Sequence, residues 1–226
     1  MDVEIQTDAA RLVRRLKQAV LRITVAESCT GGLLGSTLTE NGGVSDWFDQ
    51  SWVTYANDAK TRVLGVNPGT LEKKGAVSAE VAIQMASGAL ARSTADLALS
   101  VTGIAGPGNV SDKKLGLVYV GAASGDWKTA KRTIIGGTRA ENKLGFVHFA
   151  IRVAIENMDA AVKRKEVRAA EDEKHREAIE AEREARHINR AAKEASTRLD
   201  TAWQETAWSP GSAPHPDENL GDDVEW

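Results

Sequence analysis

"ITVAESCTGGLLGS", residues 23–36, is the stretch on which the reading of the fold turns. A β-branched run passes through Ala26 into a carboxylate, two hydroxyls flanking a thiol and two glycines, and then into residues that suit a helix. A buried strand needs none of Glu27, Ser28, Cys29 and Thr30, and a plain turn needs about one such group. The stretch therefore reads either as an elaborate helix cap or as a reactive corner. Its address favours a ligand, because open α/β sheets place their binding crevice at the carboxyl ends of strands. Gly31 and Gly32 offer backbone N–H groups at a helix start, suited to a phosphate, a carboxylate or an oxyanion.

Outward from this corner, strand and helix alternate. Leu12, Val13, Leu16 and Val20 predict a helix over 8–21, followed by "RITVA" as a strand. Residues 48–55 predict a second strand, "NDAKTRVLG" a short helix capped by Asn57, and "AVSAEVAIQMASGALARS" a helix starting near Ser78. "DLALSVTG" and "LGLVYVGAAS" are apolar enough for central strands, with "WKTAKRTIIGG" as a neighbour. Thr138 and Glu141 form a capping box for a long final helix. The pattern predicts one three-layer α/β/α domain over residues 1–160.

Composition narrows the function classes. The 226 residues are 42% apolar, enough for a real core. A formal charge of -3 with no basic run before residue 163 leaves no footprint for nucleic acid. Cys29 is the only cysteine, which excludes an intrachain disulfide and a thiolate zinc site. The first residues lack the apolar core of a signal peptide, and no stretch reaches the roughly 20 apolar residues that span a bilayer, so the expectation is a cytoplasmic protein without a membrane partner.

After Met158 the composition changes. From Lys163 to Asp200, 38 residues include 11 basic and 10 acidic ones and no Gly or Pro, which predicts a solvated helix over 161–200. Ala178, Ala181, Ala185, Ile188, Ala192, Ala195 and Leu199 form a thin stripe at alternating spacings of three and four, readable as a self-associating or docking face or as plain exposed surface. Residues 201–226 carry six acidic residues, no Lys or Arg, and Trp203, Trp208 and Trp226. They read as a disordered tail whose tryptophans are available to anchor a protein partner.

A second glycine-rich loop, "SVTGIAGPG" (100–108), brings Thr102 and Gly103 to the ends of the same set of strands. Neither loop is a P-loop or a G-x-G-x-x-G fingerprint, so triphosphate and dinucleotide readings lose their main support. If the corner is reactive, Ser28, Cys29 and Thr30 are the candidate nucleophiles, and each needs a base. His148 lies inside the final domain helix, while His175, His187 and His215 lie in the extension, so no triad is evident. Lysine remains, which is basic at neutral pH only if its surroundings lower its pKa. Lys60, after a strand and near a helix start, is the candidate.

"TVAESCTGG", "VTYANDAK", "LGV", "GAVSAEV", "SVTGIAGPG" and "GLVYVG", in this order, closely resemble the CinA C-terminal domain family over roughly residues 8–158. The resemblance implies an α/β/α domain, oligomeric, hydrolysing the carboxamide of the pyridine nucleotide nicotinamide mononucleotide to the carboxylate plus ammonia, with neither metal nor cofactor. By position it implies Ser28 as nucleophile, Lys60 as its base, Tyr55 as a supporting acid/base or positioning residue, and Thr102 as a hydroxyl lining the site. Arg139 in "GGTRAENK" matches the first arginine of the family's G-x-R-x-x-x-R pattern and would meet the nucleotide phosphate; the second is Lys143 here. Thr30, Gly31, Gly32 and Gly103 complete the expected substrate contacts. After "GIAGP" the family continues through a glycine-rich turn to K-P-V-G, where this chain has the shorter "GNVSDKKLG". That change and the long extension favour a second reading, a non-catalytic nucleotide-sensing or adaptor module.

Overall fold

The computed structural model describes residues 2–107, 113–125 and 127–205. Helix α1 (Val3–Ala19) opens earlier than its apolar periodicity suggests, because the Asp2 carboxylate accepts the Glu4 N–H at 3.0 Å and caps it. Strand β1 (Ile23–Glu27) follows, then α2 (Leu33–Thr39) and β2 (Phe48–Val53), which ends two residues before the expected Tyr55. Helix α3 (Asn57–Leu64) has Ala56 at its cap position with no side-chain cap, so the expected capping by Asn57 is not realised; Asn57 is already the first helical residue. Helix α4 (Pro68–Lys74) was not expected, although its signal is present: Asn67 accepts the Thr70 N–H and Pro68 occupies the first turn. Helix α5 (Ala79–Ala91) is capped by Ser78, and strands β3 (Leu97–Gly103), β4 (Leu117–Ser124) and β5 (Trp127–Ile134) follow. Helix α6 (Arg139–Glu205) begins with the expected capping box: the Thr138 N–H and hydroxyl both donate to Glu141 at 2.7 Å.

The five strands form one sheet in the order β2-β1-β3-β4-β5. The β2, β1 and β3 strands run parallel, and β4 and β5 add as antiparallel neighbours, so the sheet is mixed. Alternation along the strands sends different residues to the two faces. One face carries Ile23, Val25, Leu99 and Val120, covered by Leu16 of α1, Leu34 of α2 and Phe146 of α6. The other carries Ala26, Ala98 and Ala123 under Leu64 of α3 and Met85 of α5. This second face is made of small residues, and α5 lies close against it. A Cβ at Gly121 would meet the Ala82 carbonyl oxygen at 2.3 Å, and the Ser100 hydroxyl donates to that oxygen at 2.6 Å.

Contacts divide the chain between Lys165 and Glu166, a few residues beyond the expected boundary at 160. In the second unit, helix continues to Glu205, past the expected end near 200, and every residue from Glu166 to Arg198 is exposed. Pairs one turn apart, Arg186 with Glu182 at 2.6 Å and Arg190 with Glu194 at 3.0 Å, support it. The rest of the expected tail, 206–226 with Trp208 and Trp226, lies outside the described residues. Among the described residues no helix is long and apolar enough to cross a membrane.

One backbone position works against the sequence. Val20 closes α1 at φ 54°, ψ 44°, a left-handed conformation that a β-branched residue resists, and its side chain is 88% exposed with no packing to offset the strain. Val20→Gly is expected to raise stability by roughly 1 kcal/mol, read as a higher denaturation midpoint at unchanged slope.

Candidate active site

The corner after β1 is organised by Glu27. Its side chain is 0% exposed, and the carboxylate accepts the N–H groups of Gly32 and Leu34 at 3.0 Å and of Gly35 at 2.8 Å. These are the first-turn donors of α2 that have no partner inside the helix. The turn between needs positive φ at Gly31 (64°) and Gly32 (95°), which explains the glycine pair. The Gly31 N–H donates to the Ser28 carbonyl at 3.1 Å. Both glycine N–H groups expected to face a substrate are thus committed within the corner. Gly31, Gly32 and the fully buried Thr30 do not line the cavity. That part of the expected substrate contacts is corrected: these three residues shape the turn. Of the corner's remaining donors, the Cys29 N–H lies against its own sulfur and the Thr30 N–H meets no backbone carbonyl among the described residues.

Ser28 extends β1 by one step, its N–H donating to the Val101 carbonyl of β3 at 3.0 Å. Lys60, in the first turn of α3, reaches it from beneath. The Lys60 Nζ lies 3.0 Å from the Ser28 Oγ, 2.9 Å from the Thr54 carbonyl oxygen and 2.8 Å from that of Tyr55. Lys60 is 1% exposed, and burial holds its amine down at about 8 from an ordinary 10.5. A neutral amine has two N–H bonds and one lone pair. Protonated, the amine donates to all three oxygens; once it loses a proton, the two carbonyls retain the N–H bonds and the lone pair is left toward the Ser28 hydroxyl. Cys29, one residue on, is buried, and burial pushes its thiol up to about 12. Because the thiolate is the reactive form, this sulfur stays inert at neutral pH.

Ser28 and Lys60 open into a cavity of about 620 Å³, within the usual range for small-molecule sites. Its charged lining consists of Lys60, Lys73, Lys74, Lys113 and Arg139, with no carboxylate among the described residues. Tyr55 stands at the rim with its side chain 61% exposed, so its firm contribution is the backbone carbonyl that holds Lys60. Thr102 and Gly103 line the wall, but the Thr102 hydroxyl donates to the Ala76 carbonyl at 2.8 Å. Arg139 opens α6 above Gly106, where a Cβ would come within 2.6 Å of the guanidinium, and it makes no hydrogen bond or ion pair among the described residues. Asn142, fully buried, donates to the Ala105 carbonyl at 2.8 Å and the Gly137 carbonyl at 3.1 Å, tying the start of α6 to the loop after β3. Lys143 stands outside the lining, near Gly31. His148 pairs with Asp8 at 2.9 Å and takes no part in the cavity. The sequence reading marked Glu27 as part of the polar corner without giving it a role, and it assigned none to Asn142 or Lys113. For Glu27 the signal was an acidic residue just before a helix start; for the other two it was long-range and not local.

The comparisons with known proteins give the family and the fold. The family model described as CinA C-terminal domain matches residues 5–158. The CinA-like protein of Chlorobaculum tepidum is 49% identical over 147 residues, a match covering 62% of this chain and 35% of that protein. The chain thus spans about a third of the length of the curated relatives it matches. The crystal structure of competence/damage inducible protein CihA from Agrobacterium tumefaciens is similar at a TM-score of 0.67 and 41% identity, covering 69% of this chain and 96% of that one. Competence damage-inducible protein A (ComA) from Klebsiella pneumoniae gives 0.66 at 31% identity over 69% and 97%.

Glu27→Gln tests the organisation of the corner. An amide keeps one acceptor oxygen but turns its NH2 toward a backbone N–H, so one charge-assisted contact is lost and a donor faces a donor. A loss of about 2 kcal/mol in unfolding free energy is expected by urea titration; a change under about 0.5 kcal/mol would show that the carboxylate is not what holds α2.

Proposed function

We propose, from the premise that the chain belongs to the CinA C-terminal domain family, that it is a serine/lysine amidohydrolase acting on the carboxamide of nicotinamide mononucleotide. The observation that carries the reading is the Lys60 amine, buried, lowered to about 8 and 3.0 Å from the Ser28 hydroxyl. The cation-lined cavity supports an anionic substrate, and the uncommitted Arg139 guanidinium suits a phosphate, which it can meet with two parallel N–H donors.

In this mechanism Ser28 donates its proton to the Lys60 lone pair as Oγ attacks the carboxamide carbon. The carbonyl oxygen becomes an oxyanion. The corner's remaining donors are the N–H groups of Cys29 and Thr30, and of these two residues Cys29 lines the cavity. Collapse breaks the C–N bond, the Lys60 ammonium protonates the departing nitrogen, and ammonia leaves an ester on Ser28. Lys60, again neutral, takes a proton from water; hydroxide attacks the ester, and Ser28 recovers its proton as nicotinate mononucleotide departs. The cationic pyridinium withdraws electrons from the amide and favours both additions. Every proton passes through the Lys60 amine, which takes it from Ser28 or water and gives it to the leaving nitrogen or back to Ser28, so no other side chain need titrate.

Ammonia release from nicotinamide mononucleotide is the direct test. Ser28→Ala should abolish it, while Cys29→Ala should retain most of it, because a thiol that ionises near 12 contributes no nucleophile. Since the neutral amine is the active form, kcat/KM should fall about tenfold per pH unit below about 8 and level off above it. A flat profile between about pH 7 and 9 removes Lys60 from the role of base.

Arg139→Ala should weaken the nucleotide far more than nicotinamide riboside, which lacks the phosphate. A charge-assisted hydrogen bond of about 1.5–3 kcal/mol corresponds to roughly 10- to 150-fold in KM for the nucleotide alone. Equal losses for the two substrates would take Arg139 out of phosphate recognition.

A further inference from the structure

We propose that Lys113 is a positioning residue that brackets one wall of the cavity, and that it is not a ligand for the substrate's anion. The wall is the turn between α4 and α5, where Gly75, Ala76 and Val77 all line the cavity. The turn has no strand partner, yet four consecutive carbonyls in it have donors. Lys113 Nζ donates to the Lys74 carbonyl at 2.8 Å and to the Val77 carbonyl at 2.6 Å. The Ser78 hydroxyl donates to the Gly75 carbonyl at 3.0 Å, and the Thr102 hydroxyl to the Ala76 carbonyl at 2.8 Å. Three of these four carbonyls are held by side chains remote in sequence, from the end of β3 and from the residues just before β4.

The chemistry explains why a lysine stands at 113. Lys74 is the last residue of α4, and its carbonyl is one of those a helix end leaves without a partner. A cation there satisfies the carbonyl and complements the negative end of the helix, the use to which C-terminal lysines are commonly put. Bridging two carbonyls three residues apart suits a compact ammonium with rotatable donors better than a planar guanidinium. The same helix end disfavours an anion, and Lys74 is itself paired with Glu80 at 3.2 Å. Of the lining cations outside the bracket and the Lys74–Glu80 pair, Arg139 and Lys73 remain to meet the substrate's charge, while Lys113 and Thr102 fix the wall against which the substrate packs.

This inference rests on the amidohydrolase reading for its kinetic arm only. Lys113→Met keeps the length of the stem and removes the donors. Hydrogen exchange of the amides of residues 75–78 should accelerate on the order of tenfold in the variant, with exchange in β1 and β3 unchanged as the internal control that the sheet is intact. KM should rise by the same factor, on the order of tenfold, for nicotinamide mononucleotide and for nicotinamide riboside, because a misplaced wall does not discriminate between them. Unchanged exchange at 75–78, or a loss confined to the phosphate-bearing substrate, would overturn the proposal. If the unaltered protein releases ammonia from neither compound, the amidohydrolase reading fails, and the exchange measurement still decides whether Lys113 holds the turn.

Discussion

A lysine amine buried beside a hydroxyl is a base only while it carries no charge, and that constraint organises the rest of this molecule. A carboxylate facing Lys60 would form an ion pair and hold the amine protonated. The one acid in the corner, Glu27, is instead turned onto the N–H groups that open α2, where its charge is matched by the end of a helix. The acceptors Lys60 does meet are neutral carbonyls of Thr54 and Tyr55, which fix its direction without fixing a proton on it. The other charged groups of the cavity lining are cations, so no carboxylate of the lining holds the amine charged. The lining would attract an anion, and the Lys60 amine stays almost wholly buried beneath it.

The topology supplies the place where such a site can be built. The connection after β1 carries α2 over one face of the sheet to β2 on the outer edge, and the next connection carries α3, α4 and α5 over the other face to β3. Two successive connections therefore leave on opposite faces from neighbouring parallel strands, which opens a crevice beyond the carboxyl ends of β1 and β3. Ser28 and Thr102 stand at those two ends, one strand apart. Lys60 enters from the β2 side, on a helix packed under the small-residue face, and Arg139 enters from the β4–β5 side. Small side chains at Ala26, Ala98, Ser100 and Gly121 let the α5 layer come close, so the helices that carry the wall residues are rigidly placed relative to the strand ends.

Much of this was legible in the residues. The strand-to-helix corner, the alternation of elements and the Thr138–Glu141 box all rest on local chemistry, and local chemistry survives folding. The readings that failed concern where groups point. Gly31 and Gly32 do present N–H groups at a helix start, but Glu27 and the Ser28 carbonyl, both within a few residues, reach those groups first. Asn57 has the side chain of a cap, yet the chain leaves the helix one residue earlier, at Ala56. The bracket at Lys113 and the tie at Asn142 join positions 36 to 39 residues apart, and no periodicity or spacing encodes which carbonyl a distant side chain will find.

The corner holds a serine and a cysteine side by side, and their unequal environments decide which is useful. A thiol is intrinsically the stronger nucleophile, but only as the thiolate, and burial places the ionisation of Cys29 far above that of the amine at Lys60. A lysine that ionises near 8 cannot take a proton from a sulfur that ionises near 12 to any useful extent, and the Glu27 carboxylate beside it pushes the thiol further up. In the proposed reaction the serine hydroxyl, a weaker acid still, need not ionise in advance: its proton would pass to the amine 3.0 Å away as the bond to carbon forms, with the charge appearing on the substrate oxygen. Burial thus acts on the two neighbours in opposite senses, raising the Cys29 thiol and lowering the Lys60 amine toward the range the proposed base requires.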